Sequence, residues 1–271
     1  MTTAKQLSGK RLAFPRALLL DFGGVIVETT RIVDWENRLA EKVETVLDRA
    51  GARVALLSRQ RIVADIQAGC IADSHWKNAM SRTLSPPELT YEQFWGEFVG
   101  ADWPADAREA VLAEARELCR RMGHLRSDRK LRDGMQELLE RCDAASISVG
   151  IVSNALSGQV HLDFLDDIGW TDRFAVKIHS DEVKVRKPNP EMIWLACREI
   201  GVDAGDAWYV GDNFDRDVLC GVRAGIGGNI LMEAKGTYDM PYDLGLKPDA
   251  IVATPRHLLA LLEQLQTGKV A

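Results

Sequence analysis

Two kinds of apolar pattern divide this chain. Short runs such as Leu18-Leu19-Leu20 do not alternate, and such a run reads as a strand buried on both faces. The first strand is predicted over residues 17–21. From about residue 30 to 128 the strand signal vanishes. Trp35, Leu39, Val43, Val46 and Leu47 recur at helical spacing. A second helix is predicted over residues 58–68, stopping at Gly69, and a third, capped by Asp73 or Ser74, carries Trp76 and Met80. Pro86-Pro87 interrupts the pattern. Thr90-Tyr91-Glu92-Gln93 then has capping-box spacing and leads into Phe94, Trp95 and Phe98. Residues 105–122, rich in Ala, Glu, Leu and Arg, predict one long amphipathic helix.

Beyond Leu131 strands and helices alternate. Helices are expected over 132–142, 190–200 and 217–224, with a further one after Asn154. Strands are expected over 146–152, 174–179, 207–210, 229–232 and 251–252. Alternation on this scale implies βαβ units and a doubly wound parallel α/β sheet covered by helices on both sides. The expected organisation is a core of residues 15–29 and 129–260, an inserted all-helical domain of residues 30–128, and termini of residues 1–14 and 261–271. The first of these termini reads as a loose basic leader.

Composition narrows the function classes. With 271 residues, 46% hydrophobic and 27% charged, the chain can bury a substantial core. A net charge of −6 argues against a protein-wide nucleic-acid surface, but is compatible with a small phosphorylated substrate. The five cysteines, Cys70, Cys119, Cys142, Cys197 and Cys220, are scattered with no C-x-x-C spacing, as expected of reduced thiols rather than disulfides or a zinc site. The apolar run after the basic N-terminus is short and broken by Asp21. It makes a poor signal peptide and no membrane span, so a cytoplasmic location is expected.

The chemistry concentrates at strand ends. The first strand ends on Asp21, followed by Phe22, Gly23 and Gly24, and two later strands end on Ser153-Asn154 and Gly211-Asp212. Ligands of open parallel sheets bind just beyond such ends. Arg186-Lys187-Pro188-Asn189-Pro190 adds a lysine held before a helix by prolines. Alone, each has a plain reading: an Asp-Gly turn, a surface lysine, or an acidic helix N-terminus at Asp212 and Asp217. Asp215 and Lys184 are expected at the surface.

Taken in order, with a helical insert after the first, the four motifs resemble those of the haloacid dehalogenase-like hydrolase superfamily, in the branch with a helical C1-type cap. The resemblance spans residues 17–255. It implies Asp21 as the nucleophile that forms an aspartyl-phosphate. Ser153, the Asn154 amide and Gly24 would bind the phosphoryl group, and Lys187 would neutralise it. It further implies Asp21, the Gly23 carbonyl, Asp212 and Asp217 around Mg²⁺. The types suit the chemistry, since a carboxylate can approach a phosphate dianion only beside an ammonium and a hard cation. The implied partner is a small phosphorylated molecule, with no nucleic acid and no membrane, and the chain is expected to be a monomer or homodimer.

One departure bears on the reaction. Most phosphatases of this family place a second aspartate two residues after the nucleophile, and here that position is Gly23. A positioned acid contributes roughly 10²–10⁴-fold, about 3–5 kcal/mol, when the leaving group is poor. Three explanations follow. These are a substrate with a good leaving group, a proton supplied by His75, Glu36, Glu28 or a water, and weak turnover. Two alternatives remain: a 2-haloacid dehalogenase, which would need no metal pair, and an impaired phospho-ligand-binding protein. As a lid the helical insert would hinge near residues 28–31 and 124–128, with Arg31, His75, Trp76 and His124 as candidate substrate contacts.

Overall fold

A computed structural model describes residues 5–6, 11–52, 57–239 and 244–267. In chain order its principal elements are β1 (Lys5–Gln6), β2 (Ala17–Leu20), β3 (Val27–Arg31), α1 (Trp35–Ala50), α2 (Arg59–Met80), α3 (Tyr91–Gln93), α4 (Ala105–Ala113) and α5 (Ala115–Arg126). There follow β4 (Ser127–Leu131), α6 (Met135–Ala144), β5 (Ser148–Ser153), α7 (Gln159–Asp167), β6 (Val176–His179) and α8 (Ser180–Val183). The chain continues through α9 (Glu191–Ile200), β7 (Ala207–Gly211), α10 (Leu219–Ala224), β8 (Gly228–Met232), β9 (Ala250–Val252) and α11 (Pro255–Gln266). Wide π-type turns, Phe94–Val99 and Phe214–Val218, follow α3 and precede α10.

The main sheet has the order β1-β9-β8-β7-β2-β5-β6. Every pair is parallel except β1 against β9. The leucine run of β2 lies at its centre, with Leu18 opposite Val149 of β5 and Trp208 of β7. Leu18 and Leu20 join a core with α6 and α11, whereas Ala17 and Leu19 join another with α9. Both faces are covered, which is why the run does not alternate. The architecture is thus the expected doubly wound parallel sheet.

The helices from α1 to α5 bury a third core of their own, centred on Trp35, Leu39, Phe94, Trp95 and Leu118. A two-stranded antiparallel ribbon, β3 with β4, joins this helical unit to the sheet, pairing Val27 with Leu131 and Arg31 with Ser127. The unit also meets the core near Lys187. There the Glu88 carboxylate, buried to 2% exposure, pairs with Arg186 at 2.7 Å, and Arg186 lies over the Trp76 ring.

The structure corrects several local expectations. Helix α2 is continuous across Gly69, because a Cβ there would lie 2.6 Å from Val99 Cγ2. Glycine lets α2 pack against the Phe94–Val99 turn, outweighing the loss of about 1 kcal/mol in helix propensity. Asp73 caps nothing; it pairs with Lys77 one turn on, at 2.6 Å. The predicted 105–122 helix breaks at Glu114 into α4 and α5. The capping box at Thr90 and Gln93 forms as expected. The described part of the N-terminal leader is not loose, since Lys5–Gln6 pairs with β9 and Leu12 is buried. Asp215 is buried rather than at the surface. Among the described residues no helix is long and apolar enough to cross a membrane.

Candidate active site

The sheet places the ends of β2, β5 and β7 side by side, and with them Asp21, Ser153 and Asp212. Lys187 reaches the same point from the turn before α9. All of Asp21, Gly23, Gly24, Ser153, Asn154, Lys187, Asp212 and Asp217 line one cavity of about 580 Å³. Every residue that the four motifs assigned to the site is therefore gathered there.

Lys187 is its electrostatic centre. The side chain is 1% exposed, and its ammonium donates to Asp21 Oδ2 at 3.0 Å, Asp217 Oδ1 at 2.6 Å and the Tyr209 hydroxyl at 2.8 Å. Its three protons are thus all engaged. Burial disfavours the charged form, but Asp21 and Asp217 outweigh it and raise the Lys187 pKa. The Asn154 side chain clamps the Lys187 backbone, accepting from its N–H at 2.8 Å and donating to its carbonyl at 3.1 Å. The second motif thereby fixes the third.

Asp217 is bonded on every side. Its Oδ1 also accepts from Tyr209, at 2.7 Å, and its Oδ2 accepts the backbone N–H groups of Asp212 and Asn213 at 3.1 and 3.0 Å. Burial alone would push its pKa up, yet Lys187 and these bonds hold it below the ordinary value. Asp212 is left with the opposite balance. Burial, then the charges of Asp217 and Asp21, push it up to about 7. Asp21 is also raised, chiefly by burial, although Lys187 and a hydrogen bond with Ser153 oppose the shift.

The donor set suits a hard divalent cation. Oxygens of Asp21, Asp212 and Asp217 lie within 4.8 Å of one another, and the neighbouring ammonium balances one charge of three. Crowded carboxylates with only oxygen donors match Mg²⁺ rather than a soft metal. Since Asp217 has spent its lone pairs on the protein, Asp21 and Asp212 are the carboxylates with oxygens to spare. Gly24 permits this crowding: its φ is +74°, and a Cβ would fall 2.2 Å from Asp212 Oδ2. Gly24→Ala is expected to destabilise the fold by about 1–2 kcal/mol through left-handed strain and to weaken Mg²⁺ binding by displacing Asp212. Thermal melts with and without Mg²⁺ measure both effects.

Other expectations fare differently. Arg31, Glu36, His75, Trp76 and His124 do not line the cavity. Arg31 pairs with Glu36 at 2.5 Å, His124 with Asp163 at 2.7 Å, and His75 is exposed. Glu28 does line it, together with Arg132, His161, Arg216 and Lys235, which the motifs did not single out. Arg132 is 8% exposed and donates to the carbonyls of Gly24, Glu233 and Ala253, bracing the glycine turn against the ends of β8 and β9. Tyr209, inside an otherwise apolar strand, also belongs to the site. Its one sequence signal is a hydroxyl in a segment that must be fully buried.

Comparison with known proteins agrees with this geometry. A phosphoglycolate phosphatase of Xanthomonas campestris pv. campestris is 38% identical over 215 residues, covering 79% of this chain and 82% of that protein. An N-acetylmuramic acid 6-phosphate phosphatase of Pseudomonas putida is 34% identical over 124 residues, covering 46% and 54%. Among solved structures, CbbY from Rhodobacter sphaeroides in complex with phosphate superposes with a TM-score of 0.56 at 17% identity, covering 92% of this chain and 99% of that one. A 2-haloacid dehalogenase from Pseudomonas syringae pv. Tomato gives 0.57 at 18% identity, with the same coverage. At these identities the structural likenesses speak for the fold alone. The family model for the haloacid dehalogenase-like hydrolases matches residues 15–225. With its four motifs converging on one cavity, this chain belongs to the haloacid dehalogenase-like hydrolase family.

Proposed function

We propose that the protein is a Mg²⁺-dependent phosphatase that hydrolyses a small phosphorylated metabolite through an aspartyl-phosphate on Asp21. The observation that carries this reading is the Lys187 ammonium, bonded at once to Asp21 and Asp217 within a cluster of three carboxylates. Asp21 Oδ attacks phosphorus in line with the leaving oxygen, and the ester bond breaks as the Asp21–phosphorus bond forms. The Ser153 hydroxyl and Lys187 orient the transferring group and neutralise its oxygens. Water then attacks the phosphoenzyme, releasing phosphate and the free Asp21 carboxylate. Mg²⁺ held by Asp21, Asp212 and the Gly23 carbonyl would supply charge neutralisation to the same phosphoryl oxygens.

Residues 30–128 would act as the cap over the strand ends, restricting water and reading the non-reacting part of the substrate. Arg216 and Lys235, which also line the cavity, suit a substrate with a second anionic group, in keeping with the relative named for phosphoglycolate. A haloacid dehalogenase would leave the Asp212 and Asp217 arrangement without purpose, and the sequence match to named phosphatases favours phosphate. A screen of phosphate esters with Mg²⁺ or EDTA tests the reading. Turnover that EDTA abolishes supports it, whereas dechlorination of a 2-chloroacid indifferent to EDTA refutes it.

Gly23 is the place where an acid can be restored. A Cβ there would meet nothing within 4 Å, and the residue is not among those with positive φ, so a side chain fits without backbone strain. Gly23→Asp is expected to raise turnover of alkyl phosphates by about 10²-fold and of aryl phosphates far less. Comparing kcat for the two ester types checks it. Equal gains would show that leaving-group protonation is not what the wild type lacks.

A further inference from the structure

Glu88 belongs to the helical unit, in the segment between α2 and α3, yet its contacts converge on two turns of the core. Residues 86–88 lie along residues 184–186 as a short antiparallel bridge that pairs Pro87 with Val185. The Glu88 N–H donates to the Lys184 carbonyl at 3.0 Å, and the Arg186 N–H donates to the Pro86 carbonyl at 3.2 Å. The Glu88 carboxylate then serves both turns. Its Oε1 accepts from Arg186 Nη1 at 2.7 Å, and Arg186 directly precedes Lys187. Its Oε2 accepts from the Ser180 hydroxyl, whose oxygen in turn accepts the Ala155 N–H at 2.9 Å. Ala155 directly follows Asn154, whose side chain clamps the Lys187 backbone. The contacts close a ring that runs from Glu88 through Arg186, Lys187, Asn154, Ala155 and Ser180 back to Glu88. Neither Asn154-Ala155 nor Arg186-Lys187 lies within a helix or strand, so bonds of this kind are what hold them. Glu88, Ser180 and Arg186 are all buried, where water does not compete, and none of the three lines the cavity.

We propose that Glu88 is a positioning residue for phosphoryl transfer, the one carboxylate by which the helical insert holds the second and third motifs at a fixed distance from each other. The proposal rests on the phosphatase reading above, which gives Asn154 and Lys187 to the phosphoryl group. Glu88 touches neither substrate nor Asp21; it acts through the two turns. A displacement of about 1 Å in groups that orient a reacting phosphoryl is enough to cost about 10²-fold in rate. This role is separable from the stability of the buried pair. Two apolar side chains can fill the space of Glu88 and Arg186, but they cannot accept from Ser180 or tie the Lys187 turn to it.

The test compares the full-length wild type, the double variant Glu88→Leu with Arg186→Met, and Ser180→Ala, all with Mg²⁺. Three quantities are read: the melting temperature, kcat/KM for 4-nitrophenyl phosphate, and the inhibition constant of orthovanadate. Vanadate imitates the phosphoryl group but carries no leaving group, so it reports on the two turns and not on how the helical unit meets the rest of the substrate. The double variant is expected to melt close to the wild type, yet to lose about 10²-fold in kcat/KM and to bind vanadate more weakly by a similar factor. Ser180→Ala, which cuts only the arm to Ala155, is expected to lose about tenfold in both. Activity that returns together with the melting temperature would overturn the proposal, because the pair would then matter to folding alone. A lowered rate with unchanged vanadate inhibition would also overturn it, since the loss would lie outside the phosphoryl-binding turns. If the double variant melts early, Ser180→Ala decides, and a rate within about twofold of wild type overturns the proposal. A wild type that neither hydrolyses the ester nor binds vanadate would instead overturn the phosphatase reading, and this proposal with it.

Discussion

Asp21→Asn is expected to lower turnover of any phosphate ester by about 10⁴-fold or more, while leaving the fold intact. An amide oxygen is too weak a nucleophile to form the covalent intermediate, and the substitution changes neither size nor shape. Stability should rise slightly, if anything. Asp21 is a carboxylate that burial already penalises, one of three such groups within 4.8 Å, and its removal relieves that crowding. The partner left behind is not orphaned, because Lys187 retains Asp217 and Tyr209. Specific activity and a thermal melt of the same preparation check both halves. A variant that keeps more than a tenth of the wild-type rate would place the chemistry elsewhere.

Glu88→Ala is expected to have the largest effect on stability. The Glu88 and Arg186 side chains are 2% and 1% exposed and meet at 2.7 Å. Glu88 also accepts from the Leu89 N–H at 2.8 Å and from the Ser180 hydroxyl, so one carboxylate satisfies three donors. Removing it strands a buried guanidinium, a change of about 3–5 kcal/mol, or roughly 10 °C in Tm for a chain of this size. The paired change Glu88→Leu with Arg186→Met removes both charges and is expected to recover most of that loss. Activity should fall with the single variant too, since Arg186 precedes Lys187 and anchors its turn to the helical unit. Melts of the single and double variants decide the matter. A single-variant loss below about 1 kcal/mol would show that the pair is solvated in solution.

The parts legible in the sequence share a physical cause. The Leu18-Leu19-Leu20 run reveals β2 because burial on both faces removes alternation, and polar residues directly after such runs mark the strand ends that form a site. The four motifs could be placed together because a parallel sheet puts the carboxyl ends of its strands along one edge. The ribbon of β3 and β4 gave no such signal. Beyond Val27, all of Glu28, Thr29, Thr30 and Arg31 are exposed, so no periodicity marks the strand, and its partner lies a hundred residues away. Gly69 misled because the contact that rewards glycine, with Val99, is tertiary. The roles of Tyr209 and Arg132 likewise arise only where distant elements meet. Asp217 was legible as an acidic residue of the fourth motif. Its saturation by four hydrogen bonds, which sets it behind Asp212 and makes it an anchor for Lys187, was not.

The most direct measurement of the whole account is the location of the phosphoryl group during turnover. Acid-quenching the protein with Mg²⁺ and an aryl phosphate, followed by peptide mass spectrometry, should find one phosphoryl group on the peptide containing Asp21. It should be lost on treatment with hydroxylamine and absent from Asp21→Asn. A phosphoryl group on any other residue, or steady hydrolysis with none on the protein, would contradict it.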